Sequence, residues 1–443
     1  MKVTERRARR WALVVSTAVW AGTADCVRHT PSLGGLALLH VQPETVQVDV
    51  PVHTWVSGLA PGQHATVAAI LRFDSTQVLS AQAVFRADER GRIDLTRQAP
   101  DSGTYAGVDA MGLIWSAMPK SLNARQDGQA LPYFTPPGPA TFGLELIVDG
   151  KTVDRALFTQ RFMPDGARRI AVRDSGLVGT LILPAGAKRP PIVIVLTGSE
   201  GGLESAEIRA MPLAAHGFAT LALAYFRADN LPDQLVEIPL EYFERAIRWL
   251  RRRSDVDGER LALLGVSRGG ELALLLAANM SNVRAVVAYS PINVVNYGIP
   301  RGPQPQLQPR RATWTYRGTP LPFYAGELPA PDDALETIPV ERIRGPVLVI
   351  AGGDDRLTPS SVAMAEAIMR RLARHRHPYG DSAVTYPKAG HSIALPYLPV
   401  APRLPRGGTP AAIADADRDS WSRVLRFLTE ALRTPTRRPP NDR

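Results

Sequence analysis

Apolar and polar positions along the chain follow two different patterns. Between residues 44 and 161 they alternate with period two in short runs such as 46–50, 65–71 and 142–148, with turn signals between the runs. Short alternating strands of this kind are typical of an immunoglobulin-like β-sandwich. After about residue 166, continuous apolar runs alternate with helix-like segments, which indicates an α/β domain.

One apolar run of the second part, 261–264, leads directly into Gly-Val-Ser-Arg-Gly at 265–269, and helix-forming residues continue over 271–280. Strand, sharp turn and helix around Gly-x-Ser-x-Gly form the nucleophile elbow of α/β hydrolases. We therefore predict Ser267 as the nucleophile. The N-terminus of the following helix directs the amide of Arg268 toward a developing oxyanion, so we predict that amide as an oxyanion donor.

The acid and the base of a catalytic triad follow in the order that this fold requires. The strand-like run 346–351 leads to an acidic pair, Asp354 and Asp355, and the run 382–386 leads to His391. A serine hydroxyl needs a neighbouring base, and the base needs an acid that fixes its tautomer. His391 is the predicted base.

Spacing alone barely separates the two candidate acids. Asp355 falls three residues after Gly352 and four before Pro359, which is the usual phase of the strand-to-loop turn in these hydrolases. We predict Asp355 as the triad acid and keep Asp354 as the alternative.

The glycine-rich loop 197–202 follows an early buried strand, where this fold places its second oxyanion donor. We assign that role to the amide of Ser199. A glycine-rich loop can also hold a phosphate, but this one lacks both G-x-G-x-x-G and G-K-[ST]. We predict no nucleotide cofactor.

A proline-, glycine- and arginine-rich insert spans residues 298–332 and carries Trp314. Its position before the strand of the acid predicts a lid over the active site, and a disordered linker is the alternative.

Charge and cysteine content narrow the function classes further. The net charge is +10, and five of the 52 basic residues are lysine. Basic and aromatic residues do not interleave as in a nucleic-acid module, so we predict no nucleic-acid partner. The single cysteine, Cys26, excludes a disulfide within the chain and a cysteine-rich metal site. We predict no metal.

The N-terminus resembles an export signal. A basic start precedes an apolar stretch at 11–22, and Thr-Ala-Asp-Cys at 23–26 is close to a lipoprotein cleavage box, although Asp25 stands where a small residue is expected. We expect export or a membrane tether, with a mis-chosen start codon as the alternative.

Together these patterns predict four segments: a signal or anchor segment with a linker over 1–40, an immunoglobulin-like β-sandwich over 41–165, an α/β-hydrolase catalytic domain over 166–433 and a disordered tail over 434–443.

With these residues assigned, the chain resembles the acyl-CoA thioesterase and bile acid-CoA:amino acid N-acyltransferase family over about residues 41–433. The resemblance depends on the stretches 103–115, 223–226, 231–232, 241–244, 265–271, 338–341, 390–399 and 407–408. It implies hydrolysis of fatty acyl-CoA through Ser267, His391 and Asp355. Arg268 stands where the family usually has lysine.

The resemblance also concerns the acceptor of the acyl group and the cellular compartment of the protein. Family members that transfer the acyl group to an amino acid typically have cysteine as the nucleophile, so Ser267 favours water as the acceptor. Acyl-CoA is made in the cytosol, whereas the N-terminus indicates export. The alternatives are therefore an exported carboxylesterase or lipase that acts on oxygen esters, an N-acyltransferase, and a non-catalytic protein that keeps the hydrolase fold.

Overall fold

A computed structural model describes residues 36–72, 78–119, 138–302, 305 and 308–433. The predicted signal with Cys26 and the predicted tail at 434–443 lie outside the described residues. Within the described part of the chain, no helix has the length and apolar character needed to cross a bilayer.

Two β-sheets with a common core form the N-terminal part. The described strands are β1 (Leu38–Gln42), β2 (Thr45–Gln47), β3 (His53–Ser57), β4 (His64–Arg72), β5 (Val78–Arg86), β6 (Ile93–Asp94), β7 (Ser102–Gly103), β8 (Met118–Pro119), β9 (Ala140–Val148) and β10 (Lys151–Arg161), and α1 (Gly112–Trp115) is a short helix. One sheet has the order β1-β3-β6, and the other has β2-β10-β9-β4-β5-β7 with β8 beside β5.

The period-two pattern explains the shared core of these sheets. Every second residue of β4 is buried, as in β5, so one face of each strand packs inward. Val56 of the smaller sheet and Val67, Phe85 and Phe142 of the larger one belong to the same apolar cluster. The immunoglobulin-like type of this sandwich and its limits at 41 and 165 stay predictions.

The second part of the chain is built on an eight-stranded sheet. The helices and strands of this second part are β11 (Arg168–Val172), β12 (Val178–Leu183), β13 (Pro191–Leu196), α2 (Glu204–Ala215), β14 (Ala219–Ala224), β15 (Ile238–Pro239), α3 (Glu241–Arg251), β16 (Asp257–Val266), α4 (Arg268–Asn279), β17 (Ala285–Tyr289), β18 (Trp314–Tyr316), β19 (Thr319–Pro320), β20 (Val347–Gly352), α5 (Ser361–Arg374), β21 (Ser382–Tyr386) and α6 (Pro410–Ala431). The strand order is β11-β12-β14-β13-β16-β17-β20-β21.

The strand directions identify an α/β-hydrolase fold. From β14 to β21 all neighbours are parallel, whereas β12 runs antiparallel to β11 and β14. Strands β14 and β20 are buried along their whole length, which explains their continuous apolar runs. The carboxyl ends of the parallel strands meet at one edge of the sheet, where ligands bind in open α/β folds.

Candidate active site

Ser267 occupies a strained turn between β16 and α4. Its φ and ψ are 55° and −118°, in a region that non-glycine residues rarely occupy. Its amide donates to the carbonyl of Tyr289 at 2.8 Å, and the amide of Glu271 donates to the carbonyl of Ser267 at 3.0 Å. These bonds hold the serine in a conformation that a free chain would leave.

Two glycines make this turn sterically feasible. A Cβ on Gly265 would lie 1.9 Å from the carbonyl oxygen of Gly269, and a Cβ on Gly269 would lie 2.3 Å from the carbonyl oxygen of Thr197. Both distances are far below contact. The turn therefore closes only with glycine at these two positions, as the Gly-x-Ser-x-Gly spacing predicts.

His391 and Asp355 meet at the same edge of the sheet. The Nδ1 atom of His391 lies 2.8 Å from Oδ2 of Asp355, and both side chains are buried. The other oxygen, Oδ1, accepts from the amides of Leu357 at 3.0 Å and Thr358 at 2.7 Å. A carboxylate held in this way fixes the imidazole with its Nδ1 proton toward the acid and leaves Nε2 for a substrate or a nucleophile.

Asp354, the alternative acid, has different surroundings. Its Oδ2 accepts from the amide of Gly408 at 2.9 Å, its Oδ1 lies 3.7 Å from Nε of Arg356, and its side chain is 42% exposed. The geometry thus pairs His391 with Asp355 and gives Asp354 a contact with the backbone near α6.

The two predicted oxyanion donors lie on neighbouring loops. Arg268 is the first residue of α4, so its amide has no partner within the helix. The loop with Ser199 follows β13, which pairs with β16, and Gly198 approaches Ser267 closely. Tyr225 supports this loop by donating its hydroxyl to the carbonyl of Thr197 at 2.7 Å. The donor roles themselves stay predictions.

Ser267 and His391 line one cavity of about 610 Å³. Its walls come from the loop at 199–202, the first half of α2 and the segment 391–406. Among the described residues, six charged side chains line it: Glu200, Glu204, Arg209, Arg227, Arg403 and Arg406. The cavity is large enough for a small-molecule substrate and carries more positive than negative groups.

The predicted lid is wrong for the described residues of the insert at 298–332, because the cavity walls come from other segments. Trp314 is instead fully buried, with its ring centroid 5.9 Å from that of Tyr225 and 6.3 Å from that of Phe243. Its indole N–H donates to Oε1 of Glu271 at 2.9 Å. The insert is therefore anchored in the core behind the elbow.

A buried ion pair begins the elbow helix. The guanidinium of Arg268 donates to Oε2 of Glu271 at 2.6 Å, and both side chains are almost completely buried. The same guanidinium donates to the carbonyl of Tyr297 at 2.9 Å and to the hydroxyl of Thr313. Burial raises the pKa of Glu271, and Arg268 opposes that rise. The Arg268 side chain thus binds the insert, which spacing did not reveal.

Breaking this pair should destabilise the protein strongly. We expect Glu271→Ala to lower the free energy of unfolding by about 3–5 kcal/mol, because it leaves the Arg268 charge buried without a partner. Urea denaturation of the folded protein measures this loss. The exposed pair of Arg251 and Glu259 supplies the control, and Glu259→Ala should cost less than about 1 kcal/mol. Equal losses in the two variants would contradict the assignment.

The N-terminal sheets contact the cavity wall directly. The amide of Val400 donates to the carbonyl of Trp115 at 3.0 Å, and Nε2 of Gln160 donates to the carbonyl of Tyr397 at 3.3 Å. Asp109 accepts from the indole of Trp115 at 2.9 Å and from Arg418 of α6 at 2.6 Å. These contacts give a structural role to the stretch 103–115, whose purpose the sequence left open.

Two family models match the chain. Residues 49–174 match the acyl-CoA thioester hydrolase/BAAT N-terminal region, and residues 238–434 match the BAAT/acyl-CoA thioester hydrolase C-terminal region. Together they match more than half of the chain.

Several mouse proteins are similar over nearly their whole length. Bile acid-CoA:amino acid N-acyltransferase of Mus musculus is 34% identical over 90% of this chain and 98% of its own. Acyl-coenzyme A thioesterase 5 is 34% identical over 88% and 96%, and peroxisomal succinyl-coenzyme A thioesterase is 32% identical over 87% and 94%, respectively. A dienelactone hydrolase-like promiscuous phosphotriesterase from metagenomic libraries aligns with 60% of this chain and 98% of its own, with 22% identity and a TM-score of 0.39.

Proposed function

The chain belongs to the acyl-CoA thioester hydrolase/BAAT family, and from that premise we propose that it is an acyl-CoA thioesterase. It would hydrolyse fatty acyl-CoA to a free fatty acid and CoA through an acyl-enzyme intermediate. The relatives named above include two acyl-CoA thioesterases and one N-acyltransferase. Their names supply the substrate class, and the residues of this chain supply the chemistry.

One observation carries the proposal: Ser267 lines the same cavity as the His391 whose Nδ1 is bonded to Asp355. In the first step, Oγ of Ser267 attacks the thioester carbonyl and Nε2 of His391 takes the hydroxyl proton. The carbon–sulfur bond then breaks, and the same proton passes from His391 to the departing sulfur. Asp355 stabilises the imidazolium during this transfer.

The second half of the reaction uses the same residues. His391 takes a proton from water, the hydroxide adds to the acyl carbon, and the bond to Ser267 breaks as its oxygen regains the proton. The amides of Arg268 and Ser199 would donate to the oxyanion in both halves, where preorganised donors lower the barrier most.

Arginine side chains at the cavity are consistent with a substrate whose leaving group carries phosphate. Arg227 is exposed and Arg406 is half-buried, and both line the cavity that contains Ser267. Guanidinium groups bind phosphate through paired hydrogen bonds, and a positive rim attracts an anionic substrate such as CoA.

Substrate selectivity tests the proposal directly. We expect hydrolysis of acyl-CoA thioesters to exceed that of oxygen esters with the same acyl chains. Release of the free fatty acid by protein from residue 36 onward measures both reactions. Mass spectrometry of reactions that contain an amino acid would show free fatty acid rather than an acyl-amino acid. Turnover of oxygen esters alone would support the esterase alternative, and acyl-amino acid as the main product would support the acyltransferase.

A further inference from the structure

Hydrogen bonds hold both backbone groups of His391, its amide and its carbonyl. The amide of His391 donates to the carbonyl of Arg406 at 3.1 Å, and its carbonyl accepts from the hydroxyl of Ser290 at 2.8 Å. Ser290 is buried at the end of β17. These two bonds hold the backbone of the histidine itself.

Charged side chains hold the next three residues. The carbonyl of Ser392 accepts from Nη1 of Arg403 at 3.1 Å, and the carbonyl of Ile393 accepts from Nη2 of Arg209 at 3.1 Å. The amide of Ala394 donates to Oδ1 of Asp417 at 2.6 Å. Backbone groups on three consecutive residues are thus held by ionisable side chains rather than by a regular strand or helix.

Arg403 and Asp417 form a buried ion pair between this segment and α6. Nη1 of Arg403 lies 2.7 Å from Oδ2 and 2.9 Å from Oδ1 of Asp417, and the side chains are 5% and 1% exposed. Within the described part of the chain, Nη2 of Arg403 is buried without a hydrogen-bond partner. Burial raises the pKa of Asp417, and Arg403 opposes that rise.

This arrangement is a poor way to stabilise a fold. Desolvating two charges costs several kcal/mol per ion, and a well-packed apolar pair of the same volume is often neutral or stabilising in its place. An apolar pair, however, cannot donate to the carbonyl of Ser392 or accept from the amide of Ala394. The pair therefore supplies two directional bonds to the segment that follows His391.

We propose that Arg403 and Asp417 are positioning residues, which hold the segment after His391 so that its imidazole stays within reach of Ser267. They act through the backbone of residues 392 and 394 and take no part in proton transfer. This inference rests on the proposed function only in that His391 acts as the base for Ser267. An error of about 1 Å in a catalytic group costs on the order of 10²-fold in rate.

A double variant separates positioning from stability. We expect Arg403→Met/Asp417→Leu to stay folded, because the loss of the backbone bonds to residues 392 and 394 is offset by the removal of two buried charges. We expect its kcat to fall by about 10²-fold with little change in KM, because a misplaced base slows the chemical step more than binding. The control is Arg371→Met/Glu341→Leu, which replaces a half-buried pair between Arg371 of α5 and Glu341 and should leave kcat unchanged.

A second measurement needs no substrate. The Nδ1 proton of His391, bonded to Asp355, should give a low-field proton resonance in the wild type, and we expect the double variant to lose or broaden it. If the wild type shows this resonance but hydrolyses no acyl-CoA, the proposed function fails and the resonance still decides the inference. A double variant with wild-type stability, wild-type kcat and an intact resonance would overturn the positioning role.

A milder substitution covers the case in which the double variant does not fold. Arg403→Lys keeps a positive charge beside Asp417, but its ammonium lies one bond nearer the backbone than Nη1 of Arg403, the atom that contacts both Asp417 and the carbonyl of Ser392. We expect kcat to fall more than tenfold with the ion pair retained. An unchanged kcat and an unchanged low-field resonance in this variant would contradict the inference.

Discussion

Replacing Ser267 with alanine is expected to lower kcat for acyl-CoA hydrolysis by about 10⁶-fold. The substitution removes the only atom that can form the acyl-enzyme in the proposed mechanism and leaves His391 with no hydroxyl to deprotonate. Alanine at this position keeps the turn, because the adjacent glycines rather than the serine side chain permit its geometry. Residual turnover above the uncatalysed rate would come from the oxyanion donors and from binding.

Thiol release in single-turnover and steady-state experiments measures this loss. The control is Ser254→Ala, an exposed serine before β16, which should leave kcat and KM unchanged. Mass spectrometry should detect an acyl adduct on wild-type protein and none on the Ser267 variant. Unchanged kcat in Ser267→Ala, or an adduct elsewhere in the chain, would show that another group is the nucleophile.

Asparagine at position 355 should lower kcat by about 10⁴-fold. The side-chain amide is nearly the same size as the carboxylate, but it places an N–H donor where Oδ2 of Asp355 accepts from His391. The imidazole then takes the other tautomer and presents a proton to Ser267 instead of accepting one. Because Asp355 is buried and bonded to two backbone amides, no water replaces the lost interaction.

The neighbouring residue provides a matched control. Asp354→Asn makes the same chemical change one position earlier, on a carboxylate that contacts the amide of Gly408. We expect it to change kcat less than tenfold. The two variants should be compared by kcat at constant pH and by thermal unfolding, so that loss of fold is not read as loss of catalysis. A greater loss of kcat in the Asp354 variant would reverse the assignment of the triad acid.

The sequence predicted the elements around the elbow because their causes are local. The run 261–264 lies in β16, Ser267 stands at the turn, and α4 starts at Arg268. Period-two alternation indicated β4 and β9 for the same reason. It did not predict β10, the longest described strand of these sheets, and the first strand begins at Leu38, inside the predicted linker. Each of these features is specified by residues within a few positions of one another.

Contacts between distant segments were beyond the reach of pattern and spacing. Trp314 lies in an aromatic and proline-rich run whose composition fits a lid as well as a core anchor. Its hydrogen-bond partner in the core, Glu271, lies 43 positions earlier in the sequence. Ser290 bonds to a carbonyl 101 residues away, and no motif marks it. Arg403 and Asp417 belong to segments whose composition is that of an ordinary surface.

The contacts between the N-terminal sheets and residues 400–418 also determine when the protein can finish folding during its synthesis. Val400, Ile413 and Ala414 belong to the apolar cluster of the N-terminal sheets, and Arg418 reaches Asp109 across 309 residues. A ribosome adding about 5–20 residues per second releases the N-terminal sheets many seconds before those partners exist.

During that interval the apolar surface that later receives α6 faces water or a chaperone. The N-terminal sheets therefore reach their full stability only after α6, which contributes Ile413 and Ala414 to their core, has emerged. A chain released early, without α6, lacks Ile413 and Ala414 of the first core and the Asp417 partner of Arg403 in the cavity wall, so both parts of the molecule are more exposed to proteolysis.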